Sequence, residues 1–321
     1  MFGTITLNMV LAILPEILLL VLIGFVLLFD LLWKGATRRS LGWLTVGGLT
    51  AILVITAVVT PGIITENLIW WGMIRQDWLA FSFKMIFLFG AAITTLFSMD
   101  IDGLGDQGSF YALLLTSTMG MALMASAADV IMLYLAIETT SIPLYVLAGF
   151  FKRDDQSTES GFKYFLFGSM TSAVMLYGFS LLFGFTGTTN LYIMAGAIQN
   201  GAMNIPMLIT SLLLILVGFS FKVSIAPFHF WAPDVYQGAP TPVAGFLSTA
   251  SKAAGFAVLV RVLLVTFPVL SENWSLMMAI IATITMTIGN VLALTQSNIK
   301  RLLAYSSIAH AGYIPIGVAS L

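Results

Sequence analysis

The 321-residue chain is a succession of long apolar runs interrupted by short polar stretches. A hydrocarbon core about 30 Å thick needs roughly 20 consecutive apolar residues per helical crossing. Runs of that length fall at about 9–33, 41–60, 78–99, 108–127, 129–150, 159–185, 206–225, 242–266, 275–295 and 299–319. They predict an all-α polytopic membrane protein of about ten transmembrane helices. The seventh run continues into a proline-broken stretch, Pro227 to Pro240, so that helix is expected to be discontinuous. The first run lacks a basic leader and continues through Leu32, which predicts a span rather than a cleaved signal. Trp70, Trp71 and Trp78 flank the third run and read as part of an interfacial belt.

Composition agrees: 59% of residues are hydrophobic and 8% charged, against about 25% charged in a soluble domain. The chain has no cysteine, which excludes disulfides, iron–sulfur ligation, thiolate zinc sites and cysteine nucleophiles. Two histidines leave little for haem or metal binding. No catalytic, metal or cofactor-binding residue is therefore expected in this chain. A net charge of −1 says nothing about partners, and no nucleic-acid binding is expected.

Lysine and arginine fall mostly on one side if the spans alternate. Lys34, Arg38 and Arg39 follow span one, Lys152 and Arg153 follow span five, and Lys300 and Arg301 open span ten. The loops of the opposite side carry Arg75. The basic side is expected to be cytoplasmic, with both termini outside. The string Gly103-Leu-Gly105-Asp-Gln-Gly108 matches the GxGxxG of dinucleotide-binding folds, which requires a strand and a βαβ unit. Between two membrane helices it reads as a glycine-permitted turn.

Charges inside the spans carry more information. An ionised group near the bilayer centre costs at least about 2.5–3.5 kcal/mol, so it usually has a partner or a function. Glu138 and Lys252 lie roughly 15 Å into spans five and eight at about 1.5 Å per residue, hence near the midplane. Lys222 comes late in span seven. Glu138 and Lys222 each precede a proline by five residues, Pro143 and Pro227. Each proline crowds the carbonyl four residues back, at Thr139 and Val223, and opens the helix beside the charge. Coupling-ion sites of transporters use such discontinuous helices. An architectural Glu138–Lys222 ion pair explains two of the charges, but Lys252, among Ser248, Thr249 and Ser251, adds a third. One carboxylate and two amines in series favour a lysine able to release its proton, which is a relay element.

Other charges have blander readings. Lys84 and Arg261, nearer the outer face, are expected to snorkel. Lys163 fits an i,i+4 pair with Glu159. Glu16, after Pro15, reads as a cap or anchor. Asp234, in the broken stretch, either admits protons or caps a turn. His229 and His310 read as hydrogen-bonded packing residues.

Four stretches carry a resemblance. Leu133-Tyr-Leu-Ala-Ile-Glu138-Thr-Thr-Ser-Ile-Pro143 resembles span five of the antiporter-like subunits of respiratory complex I. Phe219-Ser-Phe-Lys222-Val-Ser-Ile-Ala-Pro227-Phe-His229-Phe-Trp-Ala-Pro233-Asp234-Val-Tyr-Gln-Gly-Ala-Pro240 is similar to their broken seventh helix. Ser248-Thr-Ala-Ser-Lys252 resembles the eighth, and Asn298-Ile-Lys300-Arg301 through His310 the tenth. Leu14-Pro15-Glu16 and Gly161-Phe-Lys163-Tyr-Phe-Leu-Phe-Gly168 resemble the subunit N branch.

The resemblance implies a proton-translocating subunit of NADH:quinone oxidoreductase in a bacterial inner membrane, partnered by other membrane subunits, lipids and protons. NADH, flavin, iron–sulfur clusters and quinone would belong to other subunits. Glu138, Lys222 and Lys252 would form the proton relay, with Lys163, Asp234, His229 and His310 as accessory positions. The implied architecture is antiporter-like: residues 1–107 as three N-terminal helices, 108–266 as a first repeat and 275–321 as the start of an incomplete inverted repeat. The family continues for several more helices beyond the point matching Leu321, and it passes the proton to a charge on a twelfth span. Two alternatives stay open, a subunit of a multi-subunit Na+/H+ antiporter and a non-conducting scaffold. An independent solute carrier is a weaker third.

Overall fold

The computed structural model describes residues 5–33, 39–65 and 67–320, so Lys34, Arg38 and Leu321 lie outside the described residues. Among the described residues, ten helices are long and apolar enough to cross a membrane: Leu14–Leu32, Arg39–Ile63, Trp78–Ser98, Gly108–Ser126, Val130–Ala148, Asp155–Thr186, Ile205–Val223, Thr241–Thr266, Pro268–Leu294 and Ile299–Ala319. We call them spans one to ten. The expected ends hold to within a few residues except at three places, one of them span nine, which begins at Pro268, seven residues before its expected start. A short helix, Leu7–Ala12, precedes span one, broken from it at Ile13 with Pro15 in the first turn. Span six starts earlier, at Asp155, and runs 32 residues.

Polar residues start the helices where the backbone leaves its free N–H groups. Asp77 accepts from Ala80 N–H at 2.9 Å to cap span three. Asp129 accepts from Ile131 N–H at 2.8 Å at span five, and Asn298 accepts from Lys300 N–H at 2.9 Å at span ten. Span six ends on Gly187 in the left-handed region, φ 68°, a conformation that favours glycine.

Spans four and eight form the centre, with 67% of each buried, against 22% of span nine. Small residues let the central helices meet backbone to backbone. A Cβ at Gly120 of span four would stand 2.6 Å from the Thr140 nitrogen of span five. At the end of the bundle opposite Lys152 and Lys300, strands β1 (Leu68–Ile69) and β2 (Ile74–Arg75) form an antiparallel hairpin. Trp71 and Trp78 at that end are exposed, as an interfacial belt requires, while the Trp70 indole donates to Met9 O at 2.7 Å. The glycine string 103–108 is a turn and the start of span four; a Cβ at Gly105 would stand 2.4 Å from Ser98 O.

Span seven is discontinuous, but Pro227 does not break it. The helix has already ended at Val223, where Ser224 takes a left-handed conformation (φ 58°) and Ile225 N–H donates back to Ser220 O at 3.0 Å. Pro227 follows in a loop, and a half-helix, Trp231–Gly238, leads into span eight. The Trp231 indole donates to Phe221 O at 3.1 Å and covers the broken end. Pro143, in contrast, sits inside an unbroken span five. Span eight contains a widened π turn, Leu247–Ser251, directly before Lys252. Such turns are frequent at functional sites.

Candidate functional site

Span five presents Glu138 and Ser141 on one face, three residues apart, towards span seven. They line a single cavity with Lys222, Ser172 of span six, Tyr145 and Phe219. The cavity offers about 20 Å³ to the centre of a water-sized sphere, room for about one water. Gly168 keeps it open for Tyr145, since a Cβ there would overlap the tyrosine ring. Glu138 and Lys222 are thus brought together, but they do not form the direct ion pair that the sequence suggested. Lys222 Nζ donates to Ser141 Oγ at 2.8 Å, and Glu138 accepts from Ser172 Oγ. The reason is position: Ser141 stands one helical turn beyond Glu138 and takes the ammonium first. Nothing prevented that turn from being read in the sequence.

Lys252 is also buried but lies outside this cavity. Its Nζ donates to Ser307 Oγ at 2.8 Å and to Ser307 O at 3.0 Å, both on span ten. The same nitrogen lies 5.8 Å from the ring centre of Tyr236 on the half-helix. The two lysines are neighbours through their helices. Gly255, one turn after Lys252, faces the stem of Lys222, and a Cβ there would stand 3.1 Å from Lys222 Cγ.

At the end of the bundle carrying Lys152 and Lys300, a polar recess is lined by Glu159, Ser160, Lys163, Asp234, Gln237 and Arg301. Lys163 holds Glu159 at 2.7 Å, as its i,i+4 spacing predicts, and also Asp234 at 2.8 Å. Arg301 donates to Asp234 at 2.6 Å and to Gln237 Oε1 at 3.0 Å. Burial pushes the Asp234 carboxyl up, but hydrogen bonds and charge from Lys163 and Arg301 prevail and hold it below its ordinary value. Asp234 therefore clamps the half-helix to spans six and ten. The sequence could not pair it, because its partners are 71 and 67 residues away.

The accessory histidines separate. His310 is exposed near Tyr313 and joins neither group. His229 is buried, with its ring 4.3 Å from that of Phe230, and neither nitrogen has a hydrogen-bond partner among the described residues. It is not the hydrogen-bonded residue expected; burial pushes its imidazole below the ordinary value and keeps it neutral.

Lys84 and Arg261 do not snorkel. Lys84 is 0% exposed and pairs with Glu16 at 2.8 Å, while donating to Gln76 Oε1 at 3.0 Å and Ala12 O at 3.2 Å. Arg261 makes a two-pronged contact with Asp77 at 2.8 Å on each prong, and donates to Ala125 O at 2.8 Å and Tyr192 Oη at 3.2 Å. Both found carboxylates on other elements, which removes the incentive to reach for water. Glu16 is accordingly a buried partner rather than a helix cap.

These buried groups lie in a chain with known relatives. A family model described as NADH:quinone oxidoreductase/Mrp antiporter, transmembrane, matches residues 127–320. The chain belongs to this family.

Within the antiporter family, NADH-quinone oxidoreductase subunit N of Trichlorobacter lovleyi is 43% identical, over 100% of this chain and 65% of its own length. Subunit N 1 of Roseiflexus castenholzii is 46% identical, over 77% of this chain and 49% of its own. The chain thus spans about half to two thirds of the length of these curated relatives. A chain of respiratory complex I from Thermus thermophilus with bound aureothin superposes with a TM-score of 0.76 at 33% identity, covering 95% of this chain and 64% of that one. A chain of an archaeal membrane-bound sulfane sulfur reductase shares the fold, with a TM-score of 0.84 at 24% identity, covering 96% and 64%. The stretch matched by the antiporter family model includes Glu138, Lys163, Lys222, Asp234, Lys252 and Arg301, whereas Glu16, Asp77 and Lys84 lie before it.

Proposed function

We propose that this chain is part of a subunit N-type membrane subunit of a bacterial NADH:quinone oxidoreductase, and that it carries one half of a proton path through Glu138, Lys222 and Lys252. It sits in the plasma membrane among other membrane subunits, with the face bearing Lys152 and Lys300 in the cytoplasm. Electrons pass from NADH through flavin and iron–sulfur clusters to quinone in other subunits, and no redox group resides here. Residues 108–266 form the first antiporter-like repeat, and 275–321 open a second.

The observation that carries this reading is the shared cavity in which Lys222, bonded to the Ser141 hydroxyl, and Glu138, bonded to the Ser172 hydroxyl, lie together without closing into an ion pair. A closed ion pair would suit a scaffold. A hydroxyl donates and accepts at once, so it lets a proton pass between carboxylate and amine. Closing Lys222 on Glu138 draws a proton in; separating them sends it towards Lys252. A remote conformational or electrostatic event can drive that alternation. The relatives named above are NADH-quinone oxidoreductase subunits, which favours this assignment over the Na+/H+ antiporter branch.

The test is NADH-driven proton pumping in membranes whose assembled complex contains Glu138→Gln or Lys222→Ala in the full-length subunit. Both variants are expected to lose pumping. Unchanged pumping with the complex assembled would refute the relay and leave a scaffold.

A further inference from the structure

From Ser224, just past Lys222 in the chain, to Lys252 the structure places a line of hydroxyls that the Glu138–Lys222–Lys252 assignment does not use. Ser224, two residues after Lys222, is 0% exposed. Tyr236 projects from the half-helix and is 3% exposed, its hydroxyl in loose contact with those of two serines. That hydroxyl faces the side chains of Ser224 and Ser307, and burial pushes it well above the ordinary phenol range, so it stays protonated. Ser307 Oγ in turn accepts from Lys252 at 2.8 Å. The order in space is Ser224, Tyr236, Ser307, Lys252.

A tyrosine that only packs does not need its hydroxyl here. The ring is held edge-on against Trp231, with centroids 5.9 Å apart, and phenylalanine could do the same. Buried tyrosine hydroxyls usually find a partner, and here the partners are themselves hydroxyls, each able to donate or accept. Three hydroxyls in succession ending on a buried amine suit proton traffic better than packing. The half-helix is also held in place: Asp234, two residues before Tyr236, is clamped by Lys163 and Arg301. The missing side chain at Gly255 lets the Lys222 stem pack directly against span eight.

We propose that the Tyr236 hydroxyl is the bridging donor and acceptor that carries a proton from Lys222 to Lys252, with Ser224 and Ser307 on either side. The Lys222 ammonium releases one N–H proton to Ser224. Each hydroxyl oxygen accepts a proton as it gives up its own, and Ser307 delivers the last one to the neutral Lys252 amine. Lys222 ends as an amine and Lys252 as an ammonium, with total charge unchanged and no hydroxyl left ionised. His229, in the same broken stretch, has no described contact with either lysine and is outside this line.

The inference rests on the relay reading, so the experiment separates the two. Tyr236→Phe, Tyr236→His and Lys222→Ala are placed in the full-length subunit of the assembled complex, and NADH-driven proton translocation is measured with thermal stability of the complex. Tyr236→Phe is expected to lose as much translocation as Lys222→Ala with no shift in melting, and Tyr236→His, which restores a donor and acceptor, to recover part of it. Loss in Lys222→Ala with full translocation in Tyr236→Phe would overturn the bridge and leave the relay. Full translocation in both would overturn both. A Tyr236→Phe loss accompanied by lowered melting and no recovery in Tyr236→His would assign the residue to packing and overturn the bridge. If Tyr236→Phe prevents assembly, Ser307→Ala replaces it, with the same loss expected and full translocation overturning the bridge.

Discussion

Asp77→Asn is the most informative change outside the proposed relay, because it removes a charge and little else. Asparagine caps a helix about as well as aspartate, so the Ala80 N–H bond that starts span three survives. What is lost is the countercharge of Arg261, whose side chain is 4% exposed while that of Asp77 is 24% exposed. Stripping one partner from a buried pair costs about 3–5 kcal/mol, and the partial exposure of Asp77 places the expected loss near the lower end, about 3 kcal/mol. Asp77→Ala should lose about 1 kcal/mol more through the cap. Adding Arg261→Met to Asp77→Asn should recover most of the loss, since removing both partners of a buried pair is often nearly neutral. Equilibrium unfolding in mixed micelles with rising SDS fraction, followed by helical circular dichroism, reads all four proteins. Acid should act in the same direction. Burial raises the Asp77 carboxyl, but the Arg261 hydrogen bond and charge, with Ala80 and Arg75, outweigh it and leave the group below its ordinary value. Its contribution is therefore full above the unfolded value of about 3.9 and fades as pH falls through the lower folded one; Asp77→Asn should lack that acid-sensitive part. An Asp77→Asn loss under about 1 kcal/mol, the worth of an exposed pair, or a double variant no better than the single, would refute the reasoning.

Two further outcomes follow from packing and charge. Lys84→Met leaves Glu16 buried without its cation and should cost about 3–5 kcal/mol in the same assay, with Glu16→Leu recovering most of it; a near-zero cost would return Lys84 to the snorkelling expected from its position. Gly120→Ala puts a methyl 2.6 Å from both the Thr140 nitrogen and its Oγ1, so spans four and five must part, at about 1–3 kcal/mol. Unfolding at the wild-type SDS fraction would show that the two helices are not closely held.

What could be read in the sequence divides by range. Span ends depend on local matters, apolar length and a capping Asp or Asn, and the sequence placed them well. Glu138, Lys222 and Lys252 were conspicuous because the bilayer makes such charges expensive. The outcome for Lys84 and Arg261 depended instead on whether a distant carboxylate shares their depth. Asp77 is 184 residues from Arg261, and it looked like a cap because it also is one. Glu16 offered a clue that was available: it stands in the first turn of span one, and Lys84 lies near the corresponding end of span three. The π turn before Lys252 and the left-handed Ser224 left no such mark, because both are settled by the packing of span eight and the half-helix.

The cations of the bundle then sort by the kind of partner each has. At one end of the bundle Lys84 and Arg261 are held by carboxylates, and at the other Lys163 and Arg301 close on Asp234. Lys222 and Lys252, between these ends, are instead hydrogen-bonded to serines. A carboxylate favours a fixed positive charge, which suits a joint that must stay shut. A hydroxyl is indifferent to which neighbour owns the proton, since it donates as readily as it accepts. Firm ends around a hydroxyl-lined middle are what a bundle needs if protons are to move inside it while its helices keep their places. The same partition explains why the Asp77 and Lys84 variants should be read in stability, and the Glu138, Lys222 and Tyr236 variants in proton movement.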